Sequence, residues 1–308
     1  MNKLIFLGSS SFAVPSLQAL VELGFSPLVV TKPDKPRKRG HELLGTPIRE
    51  KATSLGLEIW PLETLREAAV VSKFKEWKPD LIVSIAYGGY IPKELLTLPS
   101  IGCVNLHPSL LPHYRGAAPV QRALMAGETE TGLTLATVSE QWDAGDILFQ
   151  ERHAIDLDDN AGTLLERLAH RGASLISSAI PSLLQKKIVA TPQDGTQATY
   201  APKIQDEETW IGWSHRASDI TNQIRGLAPT PGARTHFPGG VAKIFKAQVV
   251  PGEGLPGSLL RLEKEGPVVG TGERALLLLF VQPENRKVMT GKDLVNGYRL
   301  QENQSFHD

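Results

Sequence analysis

Six short apolar runs, at 4–8, 28–31, 57–60, 81–86, 103–107 and 133–138, constrain the fold of this chain more than any other feature. Helix-like stretches at 14–23, 47–54, 65–77, 92–96 and 118–126 lie between them. Strands that alternate with helices in this way favour a parallel arrangement, each helix crossing over the sheet. The runs are continuously apolar rather than alternating, as burial on both faces requires. The expected fold of the first half is therefore a Rossmann-like α/β sheet, mainly parallel, with helices on both faces. In such sheets ligands bind beyond the carboxyl ends of the strands.

The second half has a different rhythm. Residues 143–155 read as a turn leading into an edge strand. Residues 160–187 read as a long closing helix, with Leu164, Leu165, Leu168, Leu175, Ile176, Ile180 and Leu183 along one stripe. A polar stretch with Pro and Gly follows at 191–197. One more helix, at 218–226, precedes short strands at 241–250, 257–262, 267–270 and 275–281, a spacing that suits a small β-barrel. The expected division is a first domain over 1–187, a linker over 188–204 and a second domain over 205–308. A length of 308 residues suits two domains.

Composition narrows the function classes. Lys and Arg number 33, as do Asp and Glu, so no global basicity announces a nucleic-acid partner and local clusters carry more weight. Cys103, the single cysteine, excludes an intramolecular disulfide and a Cys-rich zinc site. The apolar start ends at Gly8, short of the roughly 7–15 residues of a signal-peptide core. The run 275–281 is likewise short of the about 20 residues that span a bilayer. These features suggest a cytoplasmic chain with no membrane association.

The chemistry concentrates in 105–112 and 143–146. Asn105 and His107 are two apart in the strand-like run, so both side chains share one face. Pro108 and Pro112 stop that strand and stiffen the loop after it. An amide donor beside an imidazole at a strand end can hold a developing oxyanion. Asp143 could orient the imidazole and take up a proton. This set suits acyl transfer to an amine without a covalent enzyme intermediate. Alone, each piece has a plain reading: a structural histidine, an Asn bonded to its own backbone, a turn favoured for Gly and Asp. A dinucleotide site is disfavoured because Ser9, Ser10 and Ser11 follow Gly8 where further glycines would be needed. Ser109 lacks the surroundings of a hydrolase nucleophile, and His107, His113 and Asp143 lack metal-ligand spacing.

The text from Asn105 through Pro112 and on from Arg115 to Leu124 closely resembles the methionyl-tRNA formyltransferase family, within the wider formyltransferase superfamily. The likeness is collinear over most of the chain. It includes 6–17, the basic stretch 31–40, the segment 86–92 and the linker text 198–203. The resemblance implies 10-formyltetrahydrofolate as co-substrate, with no metal, and the free α-amino group of methionine on initiator methionyl-tRNA as acceptor. It implies catalytic roles for Asn105, His107 and Asp143. It further implies folate contacts from Ser109, Leu110, Leu111 and Pro112 and from Ala86, Tyr87, Gly88 and Ile91. Lys35, Lys38 and Arg39 are expected to touch tRNA, in a segment 32–39 with five basic residues and one acid, Asp34. The second domain is expected to be an OB-type barrel, and the chain a monomer.

Two other functions fit parts of the sequence. A formyltransferase acting on an amino-sugar nucleotide would share the Asn105, His107 and Asp143 chemistry, but would be expected to lack the basic 32–39 stretch. A catalytically silent RNA-binding module would not need those three residues intact. The second domain carries as many Lys and Arg as Asp and Glu over 205–308, so any RNA-binding face there rests on local placement of charge.

Overall fold

The computed structural model describes residues 2–36 and 43–307. In chain order the first elements are β1 (Leu4–Gly8), α1 (Val14–Glu22), β2 (Leu28–Thr31), β3 (Lys35–Pro36), β4 (Leu43–Leu44), α2 (Pro47–Ser54), β5 (Ile59–Pro61) and α3 (Ala68–Trp77). There follow β6 (Leu81–Ile85), α4 (Lys93–Leu96), β7 (Gly102–His107), α5 (Pro119–Met125), β8 (Glu130–Thr137), β9 (Ile147–Ala154) and α6 (Ala161–Leu184). The last group is α7 (Ala217–Leu227), β10 (Ala233–Phe237), β11 (Gly240–Val250), β12 (Leu259–Leu262), β13 (Pro267–Gly270), β14 (Ala275–Pro283), β15 (Met289–Thr290) and α8 (Gly291–Tyr298).

The expected α/β sheet forms, with strand order β5-β2-β1-β6-β7-β8-β9. The pairs from β5 to β7 are parallel, and the pairs β7–β8 and β8–β9 are antiparallel. Strands β1, β2 and β6 are buried along their whole length, which explains their uninterrupted apolar sequence. Helix α6 buries Leu168, Ile176 and Ile180 of the expected stripe. Within it, a Cβ added at Gly172 would stand 2.6 Å from Leu106, so the glycine lets α6 lie close against β7. Helix α3 begins at Ala68 rather than at Leu65, which is instead buried at 1% exposure as an anchor of the preceding turn.

Two compact units result, and their boundaries differ from the expected cuts after 187 and 204. One comprises 1–117, 130–154 and 165–201; the other comprises 118–129, 155–164 and 202–308. The reason lies in packing within the second unit. A Cβ on Gly226 of α7 would meet Met125 at 2.5 Å and the carbonyl of Gln121 at 2.8 Å, so α5 and α7 touch backbone to backbone. Arg122 donates from Nη2 to Glu208 Oε2 at 2.9 Å, and its guanidinium holds that carboxyl below the usual range. Arg225 donates to the carbonyls of Asp159 and Asp156 at 2.7 and 2.8 Å, pinning the 155–164 segment to α7.

The second unit holds an antiparallel sheet of order β10-β11-β14-β13-β12, with β15 on β14. Its two outer strands are joined by residues 305–307. His307 bridges to His236 on β10, and Ser305 bridges to Ser258 just before β12. Phe306 lies between them, 3% exposed, in one core with Trp213, Phe237 and Leu259. The sheet thereby closes into the expected barrel. Strand β10 and helix α8 were not anticipated, although Ala233, Thr235 and Phe237 alternate inward along β10.

Candidate active site

Strand β7 occupies the junction between the parallel and antiparallel parts of the sheet. Asn105 faces Ser84 on β6 and Ala136 on β8, and His107 faces Thr134 on β8. Leu106, between them, points to the opposite face and packs against α6 at Gly172. The strand's pleat thus fixes both polar side chains from a residue whose own burial is apolar.

Three sequence-expected residues meet here. The Asp143 Oδ1 atom stands 3.7 Å from His107 Nδ1 and 3.5 Å from Asn105 Nδ2. Asp143 Oδ2 accepts the backbone N–H of Gly116 at 2.9 Å. His107 is 5% exposed, and its Nε2 lies 2.9 Å from the carbonyl of Tyr114. A carbonyl has no hydrogen to give, so Nε2 is the protonated nitrogen of that contact. Nδ1 is left to face the carboxylate. The arrangement supplies an amide donor, an imidazole and a carboxylate around one point.

Backbone completes the site. Tyr114 has φ of 58° and Asp143 has φ of 51°, both in the left-handed region that non-glycine residues seldom adopt. Gly116 has φ of 121° and passes so close to Ala201 that a Cβ would lie 2.8 Å from its carbonyl oxygen. The turn at 114–116 is held by the linker text: Tyr114 N–H donates to Thr199 Oγ1 at 2.8 Å, and Arg115 N–H to Thr199 O at 2.9 Å. None of these backbone groups has a side-chain signature, and sequence reasoning missed them.

The loop after β7 is built rather than free. Ser109 is 1% exposed and its hydroxyl donates to the carbonyl of His113 at 2.6 Å. Thr134, fully buried on β8, donates to Ser109 O at 2.7 Å and accepts from Leu111 N–H at 3.1 Å. Gln150 on β9 donates to Leu111 O at 2.9 Å. Ser109 and Leu111 therefore turn inward and shape the loop, while Leu110 and Pro112 stay half-buried.

At the end of β6, Ala86 has φ of 47° and Gly88 φ of 69°, and both are exposed. Tyr87 and Ile91 turn into the core instead. The Tyr87 hydroxyl is buried without a hydrogen-bond partner among the described residues, and burial, aided by the Glu63 charge, pushes its pKa up to about 12. Lys35 lies in the backbone hairpin of β3 and β4. Lys38 and Arg39 lie outside the described residues. Among the described residues, no group of three His, Cys, Asp or Glu side chains is placed to hold a metal ion. No helix among them is long and apolar enough to cross a membrane.

This fold and this site define a class. The formyl transferase profile matches residues 2–180, and that of the formyl transferase C-terminal domain matches 203–299. The chain belongs to the formyl transferase family. It is 42% identical over 301 residues to the methionyl-tRNA formyltransferase of Moorella thermoacetica, covering 97% of both chains. It is 39% identical over 305 residues to the methionyl-tRNA formyltransferase of Bacillus subtilis, covering 98% of this chain and 96% of the relative. At such identity over the whole length, its branch of the family is that of the methionyl-tRNA formyltransferases. Among solved structures, HypX from Aquifex aeolicus in complex with tetrahydrofolic acid is similar in fold, with TM-score 0.65 at 19% identity over 96% of this chain. The chain spans about half of HypX, 47% of its length.

Proposed function

We infer that the chain transfers the formyl group of 10-formyltetrahydrofolate to the α-amino group of methionine on initiator methionyl-tRNA. The observation that carries this reading is the meeting of Asn105, His107 and Asp143 at the end of β7 in a chain about 40% identical throughout to enzymes of that name. The relatives' full-length identity favours the tRNA acceptor over an amino-sugar nucleotide.

The residues divide the reaction among them. The methionine amine attacks the formyl carbon, a C–N bond forms, and the carbonyl oxygen gathers negative charge. Asn105 Nδ2 donates to that oxygen, with the His107 ring beside it. Asp143 holds His107 in register and receives the proton that the amine sheds. The bond from the formyl carbon to N10 of the folate then breaks, and that nitrogen, part of an arylamine, takes the proton from Asp143 as it leaves, which restores the carboxylate. Leu110, Pro112, Ala86 and Gly88 line the folate side, over the inward-turned Ser109, Leu111, Tyr87 and Ile91. Lys35, Lys38 and Arg39 meet the tRNA backbone. The working form is a cytoplasmic monomer.

The deciding experiment compares formyl transfer from 10-formyltetrahydrofolate to charged initiator tRNA and to amino-sugar nucleotides. Turnover with the tRNA alone is expected. Turnover confined to the sugar nucleotides would replace this reading.

A further inference from the structure

The Asp143 turn is gripped from behind by a side chain of the linker. Gln193 donates from Nε2 to the carbonyls of Asp143 and Gly145, at 2.9 and 2.6 Å. Its Oε1 accepts from Arg115 twice, from Nε at 3.1 Å and Nη2 at 2.6 Å. Arg115 is 5% exposed, and its buried charge is met by this amide oxygen. The fork fixes which end of the Gln193 amide faces the carbonyls, because a guanidinium only donates. Gly145 leaves no slack: a Cβ there would stand 1.8 Å from the Thr137 carbonyl. Asp143 itself sits at a left-handed φ, a strained backbone that persists only where its surroundings impose it.

The same Arg115 residue carries the backbone of the neighbouring turn. Its N–H and C=O bond to Thr199 and Ala201, at 2.9 and 2.7 Å, and the next N–H, from Gly116, reaches Asp143 Oδ2. The carboxylate is thus placed from two sides: through its side chain by Gly116, and through its backbone by Gln193. Both supports lead back to Arg115.

We propose that Gln193 is a positioning residue for Asp143, oriented by the fork of Arg115, so that the linker sets the aim of the carboxylate at His107. This rests on the role of Asp143 inferred above. Gln193 touches no reacting atom; it acts through the backbone at 143–145.

Two variants test it. Gln193→Met keeps length and bulk without an amide. Gln193→Glu keeps an oxygen for Arg115 but sets a second oxygen against the two carbonyls. Each should lower kcat by about 10²-fold, the cost of a misplacement near 1 Å, with KM for 10-formyltetrahydrofolate and for charged tRNA near parent values. The ¹⁵N signals of the His107 imidazole should move in both. On an Asp143→Asn background Gln193→Met should cost little more, since both changes remove one aim. Rates are taken per folded molecule, from near-UV dichroism. Parent kcat in both variants, full additivity with Asp143→Asn, or a loss matched by the unfolded fraction would each overturn the proposal. If Asp143→Asn alone turns over like the parent, the inferred role of Asp143 falls, and the proposal with it. An inactive Asp143→Asn beside an active Gln193→Met removes only the positioning role.

Discussion

Asn105 is the residue of the site with the least competing work. His107 is held at Nε2 by Tyr114, and Asp143 accepts from Gly116, whereas among the described residues the Asn105 amide has only a 3.5 Å contact to the carboxylate. Its donor is therefore the one free to turn toward an oxyanion. Asn105→Ala should lower kcat by about 10²–10³-fold, or about 2.7–4 kcal/mol in the barrier, while folate binding changes little. Initial rates and a folate titration decide this; unchanged turnover would remove Asn105 from the mechanism. Tyr87 yields a second expectation. Its folded pKa lies above its ordinary value of 10, so the folded chain holds the proton more tightly than the unfolded one. That contribution is full below about 10 and fades as pH rises toward about 12, so stability should fall across this window. Denaturant midpoints across it should fall less steeply for Tyr87→Phe. Asn105 and His107 were legible because a strand's period of two puts alternate letters on one face. The Tyr114 carbonyl and the Gly116 N–H were not, since any residue carries them and only a left-handed turn aims them.

At the level of elements, β8 does as much for the site as β7. Thr134, pointing from β8, satisfies both a carbonyl and an N–H of the 109–111 loop and is also bonded by Gln150 from β9. Thr134→Val would keep the shape and leave those buried groups without their partner, at about 1–3 kcal/mol. The expected result is a lower urea midpoint together with a higher KM for 10-formyltetrahydrofolate. A variant with the lower midpoint and an unaltered KM would mean that the loop does not shape the folate side. The buried parallel strands were readable because nothing but continuous apolar text survives between two helical layers. Strand β10 was harder: Ala233, Thr235 and Phe237 face inward, but Arg234 and His236 between them read as polar loop beside Pro231 and Gly232. Helix α5 was found in place, yet its partner α7 lies some hundred residues on, and no local pattern announces such a pairing.

For the whole molecule, equal numbers of acidic and basic side chains leave electrostatic attraction to local clusters. The densest is 32–39. Neutralising Lys35, Lys38 and Arg39 together should weaken binding to charged tRNA and flatten its salt dependence, each lost phosphate contact removing about 0.9 from the log–log slope. Affinity measured at two salt concentrations checks this, and an unchanged slope would move the RNA contact to the second unit. That unit has a history in time as well as a shape. Its barrel closes only when residues 305–307 reach both β10 and β12 and Phe306 enters the core. Until they do, the folding chain carries two unpaired strand edges, the kind of template that captures other strands. How fast this segment docks, and how crowded the folding chains are, thus bear on the yield of this protein, as does its finished stability.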